Sequence, residues 1–194
     1  MTWDWSHAGA SSSEQERPSR ERWGRGRSAW ATVIGYVLAL AILAGALYIF
    51  FTYRIGFVLT SSMAPTLKPG DQYLINLRAY RRHPPERGDI IVFRPRGEDA
   101  PLVKRVVGLP GETVTLLQGR VYINGQPLRE PYLAEEPIAE WPLQVVVPER
   151  AVFVLGDNRN LSEDSRDLGP VAYEKILGRA ERIIRPASRR RRLP

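Results

Sequence analysis

Residues 60–67 read Thr-Ser-Ser-Met-Ala-Pro-Thr-Leu and follow a long apolar segment by a few positions. Pro65 fixes its own φ angle and disfavours helical conformation at Ala64. We therefore predict an extended strand here, ending in a turn at Lys68-Pro69-Gly70. A serine held rigidly in such a strand is a candidate nucleophile, although it needs a neighbouring base. The alternative for a Ser-Ser pair by itself is a polar turn.

A candidate base lies in residues 103–111, Val-Lys-Arg-Val-Val-Gly-Leu-Pro-Gly, an apolar and largely β-branched stretch. The chain has three lysines, Lys68, Lys104 and Lys175, among many arginines. A buried lysine can lose its proton, whereas an arginine effectively cannot. Lys104 is therefore a candidate general base. The alternative is a lysine whose stem lies along the strand with its head in water.

A third segment, residues 156–166, reads Gly-Asp-Asn-Arg-Asn-Leu-Ser-Glu-Asp-Ser-Arg and is too polar to belong to a core. We expect Gly156 and Gly169 to serve tight backbone turns. Asp164 could be read as the carboxylate of an aspartic protease. The chain lacks a second element resembling Asp-Thr/Ser-Gly, however, which argues against that mechanism.

Composition excludes several kinds of site. A chain of 194 residues is long enough for one domain of ordinary size plus appendages. It has no cysteine, which excludes a disulfide, a thiolate nucleophile and a cysteine-ligated metal. The two histidines, His7 and His83, lie in the N-terminal segment and in an arginine-rich loop. Their positions argue against a Ser-His-Asp triad and a histidine zinc site, and no metal or other cofactor is implied.

The net charge of +7 is unevenly distributed along the chain. Residues 28–181 carry 17 Lys or Arg and 17 Asp or Glu, so the excess lies at the ends, chiefly in Arg182, Arg185 and Arg189–Arg192. The central part is therefore not a basic nucleic-acid surface. Arg189–Arg192 could bind phospholipid headgroups or nucleic acid. We expect residues 187–194 to form a short, solvated basic tail instead.

The stretch from Ser28 to Tyr53 contains no charged residue, and Ala29–Phe51 is long enough to cross a bilayer. We predict an uncleaved transmembrane helix over residues 28–53. A buried core helix is one alternative. A cleavable secretion signal is another, because residues 44–46 read Ala-Gly-Ala. The apolar run continues to Phe51, however, which favours the uncleaved helix.

The N-terminal flank predicts the orientation of this helix. Residues 1–27 are polar and lack apolar periodicity, and we predict a disordered cytoplasmic tail. Its C-terminal part contains five arginines, at positions 17, 20, 22, 25 and 27, opposed nearby by Glu21. The positive-inside tendency keeps such a flank in the cytoplasm and places the chain after Tyr53 outside. We expect a single-pass protein of the plasma membrane.

The chain after Tyr53 is predicted to be mainly β. Short β-branched or aromatic runs bounded by turn residues predict strands at 73–77, 89–93, 102–107, 113–117, 121–123, 144–147, 151–155 and 178–184. Asn124-Gly125 predicts a hairpin turn. Residues 127–141, with several prolines and acids, are expected to form a surface excursion. We assign residues 54–186 to one extracytoplasmic, β-rich domain.

Together these features resemble the type I signal peptidases, the membrane-bound Ser-Lys proteases. The family's serine box, S-x-S-M-x-P-T-L, matches residues 60–67 with threonine at the first place. Its lysine box, K-R-x-x-G-x-P-G-[DE], matches residues 104–112, and its G-D-N-R-x-x-S-x-D-S-R box matches residues 156–166. The variant of the family with histidine as base would need histidine where Lys104 stands. The resemblance is therefore to the lysine-bearing, prokaryotic kind.

The resemblance implies the signal-peptidase β-fold, with Ser62 as nucleophile and Lys104 as general base. Ser61 is the local competitor, although in an extended strand its side chain points to the opposite face. Attack by Ser62 creates an oxyanion that needs donors, and its own N–H is one. In the resembled family a hydroxyl two residues upstream is another, and this position is Thr60. In a strand Thr60 and Ser62 share a face, so the Thr60 hydroxyl can reach the site beside the nucleophile. The alternative to this donor role is that Thr60 is only a β-branched residue that suits a strand.

The resemblance also assigns supporting roles around the lysine. Ser162 aligns with a hydroxyl that orients the lysine, as a third group orients the base in a triad. Asp164 and Arg166 align with a supporting ion pair, which we interpret as structural. We expect Arg105 and Asp157 to pair in the same way.

The resemblance finally implies a serine endopeptidase that removes signal peptides from exported preproteins. Its substrates should carry small residues at the first and third positions before the cut. We expect the substrate to add as a strand beside Gly56–Thr60 and Pro101–Lys104, above shallow apolar pockets that need Val58, Met63 and Val103. Expected partners are preproteins and the lipid bilayer, without nucleic acid, and we expect a monomer.

Two functions of other classes remain as alternatives. A self-cleaving regulator of the Ser-Lys kind would need a DNA-binding helical domain, where this chain has its apolar segment. A non-catalytic, membrane-tethered β-module would explain the apolar segment and the strands, but not the three boxes together.

Overall fold

The computed structural model describes residue 1 and residues 29–97, 100–135, 138 and 142–194. The chain divides into two units, Met1–Ile42 and Leu43–Pro194. Apart from Met1, the predicted N-terminal tail lies outside the described residues, together with its arginines and His7.

One long helix, α1, spans Ala29–Thr52 and agrees with the predicted apolar helix. Its 24 residues carry no charge and extend roughly 36 Å at about 1.5 Å per residue, enough to cross the hydrocarbon of a bilayer. The side chains from Trp30 to Phe51 are exposed, which contradicts the alternative of a buried core helix. The helix ends just before Arg54, the first charge after the apolar run.

The described residues after Thr52 confirm a mainly β fold, with twelve strands that pair antiparallel. In chain order these are β1 (Tyr53–Phe57), β2 (Gln72–Asn76), β3 (Ile90–Phe93), β4 (Leu102–Gly108), β5 (Thr113–Leu117), β6 (Arg120–Ile123), β7 (Gln126–Pro127), β8 (Leu143–Val146), β9 (Ala151–Leu155), β10 (Val171–Ala172), β11 (Ile176–Arg185) and β12 (Arg191–Arg192).

The strands form two sheets. The larger has the order β1-β2-β11-β3-β4-β9-β10, with β12 added to β11, and the smaller has the order β7-β6-β5-β8. Each of the eight strands predicted between residues 73 and 184 lies within two residues of an observed one. The strands that sequence missed include β7, β10 and β12, each of which has two residues and is too short to show alternation.

Local sequence explains the hairpin between β6 and β7. Asn124 and Gly125 adopt φ angles of 49° and 80°, which a type I′ turn requires at its two central positions. Ile123 and Gln126 face each other across this turn. The hairpin predicted from Asn-Gly is therefore confirmed.

The core of the larger sheet reaches the segment between β1 and β2. Met63 and Leu67, which lie in this segment, are 1% and 0% exposed. They belong to one buried cluster with Ile90 and Val92 of β3 and Ile183 of β11. This packing fixes the polar residues around Met63 against the sheet.

Residues 187–194 differ from the predicted solvated tail. Arg191–Arg192 form β12 and pair with Arg182–Ile183 of β11. Leu193 is buried in the same cluster as Met63. Arg189 lies 2.9 Å from the carboxylate of Asp71, whose side chain is 2% exposed. A buried carboxylate needs a cation and a leucine gains from burial, so the segment packs although its composition is basic.

Candidate active site

Residues 58–71 connect β1 to β2, and we call this segment the serine turn. Because β1 and β2 are antiparallel, with Phe57 opposite Gln72, the segment has to reverse direction. A hydrogen bond joins the two ends of the segment, since the N–H of Val58 donates to the carbonyl of Asp71 at 2.9 Å. The extended strand predicted over residues 60–67 is therefore wrong.

Inside the serine turn, short hydrogen-bonded turns hold Ser62 against the core. The N–H of Ala64 donates to Ser61 O at 2.9 Å, and the N–H of Leu67 donates to Met63 O at 2.8 Å. Met63 and Leu67 point into the buried cluster. Ser62, immediately before Met63, is only 6% exposed as a result. Ser61 remains partly exposed.

Lys104 lies in β4, opposite Ile91 of β3, and its side chain is directed at the serine turn. Its Nζ lies 2.8 Å from Ser62 Oγ. Lys104 is 3% exposed, so its head is not in bulk water. The structure thus brings together the serine and the lysine that the sequence singled out, 42 positions apart along the chain.

Burial lowers the pKa of Lys104 from its ordinary value of 10.5, because a charged ammonium is poorly solvated there. Nearby carboxylates at Asp164, Glu163 and Asp157 act in the opposite direction, and the charge of Arg166 adds to the lowering. Desolvation is the largest of these effects. The environment therefore makes the neutral amine, which is the form that can accept a proton, easier to reach than it is in water.

Thr60 lies beside Ser62, but for a different reason from the one predicted. Its hydroxyl donates to Ser62 Oγ at 3.3 Å. The alternation of a strand cannot cause this approach, because the segment is a turn. Thr60 is also exposed, which leaves its hydroxyl accessible to a substrate. Its role as an oxyanion donor stays a prediction.

Asp164 is the centre of a hydrogen-bonded group beside Lys104. It is fully buried and caps a short helix, α2 (Ser165–Leu168). Ser162 Oγ donates to Asp164 Oδ2 at 2.7 Å, and Arg166 Nε donates to Oδ1 at 2.9 Å. The ion pair predicted between Asp164 and Arg166 is confirmed. The predicted contact between Ser162 and Lys104 stays a prediction, since the described side-chain hydrogen bond of Ser162 goes to Asp164.

The segment after β9 packs directly on the serine turn. The N–H of Asn158 donates to the carbonyl of Ser62 at 3.0 Å. A Cβ placed on Gly156 would lie 2.5 Å from that carbonyl oxygen and would also clash with the Ser162 side chain. Gly156 is therefore required by close approach, not by the turn that we predicted. Gly169, with φ of 73°, does occupy a turn conformation that favours glycine.

Arg105 ties the same two segments together from the other side of β4. It donates to both carboxylate oxygens of Asp157, at 2.8 and 2.6 Å, which confirms the predicted pair. It also donates to Thr66 Oγ1 of the serine turn at 3.3 Å. The guanidinium lies 4.0 Å from the ring centroid of Tyr132. Neither Thr66, a position of the serine box, nor Tyr132 could be assigned these contacts from sequence, because the contacts depend on how distant segments meet.

The apolar residues predicted to line the substrate pockets lie together. Val58 and Met63 are 5% and 1% exposed and belong to one buried cluster, against which Val103 packs. They can therefore form the floor of a shallow apolar site next to Ser62. Whether they contact a substrate side chain stays a prediction.

Within the part of the chain that the structure describes, no group of three or more His, Cys, Asp or Glu side chains could hold a metal ion. His83 lies in an exposed loop, and no contact with the Ser62 and Lys104 side chains is described for it.

Comparison with known proteins adds independent observations. The family model described as "Signal peptidase, peptidase S26" matches residues 27–184. A "Probable signal peptidase I-1" from Synechocystis sp. is 42% identical, over 79% of this chain and 82% of its own length. The "Signal peptidase I" of Leptolyngbya laminosa is 40% identical over 80% and 77%.

Two further relatives match at lower sequence identity. The "Signal peptidase I" of Bacillus amyloliquefaciens is 33% identical, over 89% of this chain and 95% of its own length. A crystal structure of a signal peptidase I from Enterococcus faecalis V583 is 37% identical and covers 49% of this chain and 95% of that chain, with a TM-score of 0.44.

Proposed function

The chain belongs to the signal peptidase family, peptidase S26, and from that premise we propose that Ser62 and Lys104 are its catalytic dyad. The protein is a serine endopeptidase that cleaves signal peptides from preproteins. The observation that carries the proposed dyad is the 2.8 Å distance between Lys104 Nζ and Ser62 Oγ, both in buried side chains.

In the proposed first step, Ser62 Oγ attacks the carbonyl carbon of the scissile peptide bond. The hydroxyl proton moves to the neutral amine of Lys104, which burial keeps available as a base. The resulting ammonium then donates this proton to the leaving nitrogen of the mature protein. An ester between Ser62 and the signal peptide remains.

In the second step, Lys104 accepts a proton from a water molecule as the water attacks the ester carbonyl. The proton then returns to Ser62 Oγ as the signal peptide leaves with a free carboxyl end. No group other than the lysine has to shuttle the proton. This matches the composition of the chain, whose two histidines lie at positions 7 and 83, away from the three boxes.

Each step passes through a tetrahedral intermediate with a negative oxygen. We propose that the N–H of Ser62 and the hydroxyl of Thr60 donate to this oxygen. Support comes from the 3.3 Å distance between Thr60 Oγ1 and Ser62 Oγ, which puts the hydroxyl next to the attacking atom.

Behind the lysine, we propose that Ser162 orients the amine while Asp164 and Arg166 hold Ser162 in place. The carboxylate of Asp164 accepts hydrogen bonds from the Ser162 hydroxyl, the Gly156 N–H and Arg166 Nε. These contacts support the role because together they fix the orientation of the carboxylate. Arg166 also donates to the carbonyl of Ser162 at 3.0 Å.

The substrate is proposed to bind as an added strand. Within the described strands, β1 is paired on its β2 side only. The Leu102–Lys104 half of β4 is paired on its β3 side, whereas its pairing with β9 begins at Arg105. The first of these free edges ends five residues before Ser62, and the second contains Lys104. Small substrate side chains would then enter shallow sites formed by Val58, Met63 and Val103.

We further propose the arrangement in the membrane. Residues 28–53 cross the bilayer once, residues 1–27 form a cytoplasmic tail, and the β-rich catalytic unit from residue 54 works as a monomer outside the plasma membrane. Support comes from the exposed, uncharged helix α1 and from the arginines that precede it in sequence. The contacts of residues 187–194 extend the proposed catalytic unit to the C-terminal segment.

The experiment that tests the proposal incubates the detergent-solubilised protein with a preprotein and sequences the new N-terminus of the product. We expect one cut directly after an Ala-x-Ala-like site, and no product with Ser62→Ala inserted normally in membranes. A non-catalytic β-module would give no product with either protein. A self-cleaving regulator would cut its own chain and leave the preprotein intact.

A further inference from the structure

The C-terminal residues Arg189–Leu193, which we call the C-terminal strap, contact the serine turn. Two of its arginines reach backbone carbonyls that lie three and four positions after Ser62. The proposed mechanism makes no use of these contacts. They connect a segment near residue 190 to the turn that carries the nucleophile.

Arg189 makes the largest set of these contacts. Its Nε and Nη2 both lie 2.9 Å from carboxylate oxygens of Asp71, at the end of the serine turn. Its Nη2 also donates to the carbonyls of Pro65 and Thr66, each at 3.3 Å. Asp71 in turn accepts from the N–H of Lys68 at 2.9 Å. One guanidinium therefore links several points of the serine turn.

Arg191, the first residue of β12, and Leu193, the residue after β12, also hold the strap in place. Arg191 Nη2 donates to the carbonyl of Thr66 at 2.9 Å. The N–H of Leu193 donates to Glu181 O at 2.8 Å. The Leu193 side chain is 9% exposed and belongs to the same buried cluster as Met63. The strap thus combines charged hydrogen bonds to the turn with an apolar anchor beneath it.

The turn needs such donors because it is not part of a sheet. Backbone carbonyls without a strand partner are satisfied by side chains or water. On the side of β4, Arg105 holds Thr66 through its hydroxyl. Arg189 and Arg191 donate to the backbone carbonyl of the same residue. Thr66 is therefore held through both its side chain and its backbone, four residues from Ser62.

We propose that the C-terminal strap positions the nucleophile, with Arg189 and Arg191 as positioning residues that keep Ser62 Oγ within reach of Lys104. This inference rests on the proposed function, because it takes Ser62 as the nucleophile. A displacement of a reacting group by about 1 Å can cost two orders of magnitude in rate, so a loose serine turn lowers turnover before it unfolds the protein.

The test compares Arg191→Ala with Arg192→Ala in the full-length protein in detergent. Arg191→Ala removes a donor to the turn without leaving a buried carboxylate unpaired. Arg192 is the adjacent residue of β12, is exposed, and carries the same charge. Arg189→Lys is the third variant, since it keeps a cation beside Asp71 but loses the planar fork. Each is assayed well below its melting temperature for kcat, KM and the pH dependence of kcat/KM.

For Arg191→Ala we expect kcat to fall about three- to thirty-fold, the loss that corresponds to part of one charged hydrogen bond. KM should stay within about two-fold, because the strap does not lie at the strand edges that bind substrate. The acid limb of kcat/KM should also move to higher pH. A looser turn admits water to Lys104, and better solvation of the ammonium raises its pKa. Arg189→Lys should show the same changes, and Arg192→Ala should behave like the parent.

A strap that only stabilises the fold would lower the melting temperature of Arg191→Ala while kcat and the acid limb stay at the Arg192→Ala values. That result would overturn the positioning role. Ser62→Ala, measured in the same series, separates this failure from a failure of the proposed function. If Ser62→Ala is inactive and Arg191→Ala matches Arg192→Ala, only the inference about the strap is wrong. If Ser62→Ala still cleaves, the dyad itself is wrong.

Discussion

Lys104 and Ser62 meet through the ends of their side chains, with Nζ 2.8 Å from Oγ, although β4 and the serine turn are distant in the chain. Both residues are almost fully buried. A lysine in this position combines a short path for the proton with a pKa lowered by desolvation.

Lys104→Met and Lys104→Arg should both abolish cleavage, by at least about a thousand-fold in kcat/KM, since neither side chain can accept a proton at ordinary pH. In the parent, kcat/KM should rise with pH through the lowered pKa of Lys104, so the acid limb lies below 10.5. The matched control is Lys175→Arg, which makes the same change at an exposed lysine. Near-normal turnover of Lys104→Arg would remove lysine from the mechanism.

Lys104→Met should also stabilise the fold, by about 1 kcal/mol, the ordinary size of a stabilising substitution. A lowered pKa means that the folded protein binds the lysine proton less tightly than the unfolded chain does. The free-energy cost of burying the charged lysine is fully present at pH below the folded-state pKa, and it disappears as the pH rises past 10.5. Thermal unfolding should therefore show a larger gain in Tm at mildly acid pH than near pH 10.5. A gain that does not depend on pH would contradict this origin.

Thr60→Val keeps the shape of Thr60 but removes its hydroxyl, so kcat should fall by roughly ten- to a thousand-fold. KM should change little, because the hydrogen bond to the oxyanion forms mainly in the transition state. Thr60→Ser keeps the donor and serves as the control, with activity close to that of the parent. If Thr60→Val turns over like the parent, Thr60 is a scaffold residue and the second donor lies elsewhere.

Gly156→Ala should damage the site by steric overlap, since its Cβ would lie 2.5 Å from the Ser62 carbonyl. We expect a loss of about 1–3 kcal/mol in stability, as for other overpacked sites. Displacement of Ser62 should lower kcat by about ten- to a hundred-fold. Gly45→Ala, in α1 with open space around the added methyl group, is the control and should be neutral. Denaturant unfolding and steady-state kinetics on both variants decide the matter.

Protease added to the outside of spheroplasts should digest the β-rich unit and spare residues before Ser28. The physical reason is that the arginines before the apolar helix resist transfer across the membrane. Immunoblots against the two ends of the chain provide the measurement. Digestion of the N-terminal end in intact spheroplasts would reverse the proposed topology.

Several conclusions depended on local sequence and needed no tertiary structure. The helix over Ala29–Thr52 follows from a long run without charge, and the β6–β7 hairpin follows from Asn124-Gly125. The three boxes identified Ser62, Lys104 and Asp164 because each box is a short contiguous pattern. Patterns of this kind involve residues that are adjacent in the chain, and the sequence alone shows which residues are adjacent.

Other features depended on which distant segments meet. The serine turn reverses because β1 pairs with β2, so a local preference for extended backbone around Pro65 did not decide its shape. The closeness of Thr60 to Ser62 therefore has a different cause from the predicted strand alternation. Likewise Gly156 is fixed by the approach of Ser62 and Ser162, not by a turn of its own.

The C-terminal arginines also show what composition alone does not predict. Arg189–Arg192 form a basic run outside the central part of the chain, in which basic and acidic residues are equal in number, so the sequence predicts a solvated tail. In the structure, Asp71 and the carbonyl of Thr66 lie where two of these arginines can reach them. A buried carboxylate and unpaired carbonyls exist only once the chain has folded. The sequence by itself thus determined the residues of the candidate dyad, whereas the tertiary structure decided what holds them in place.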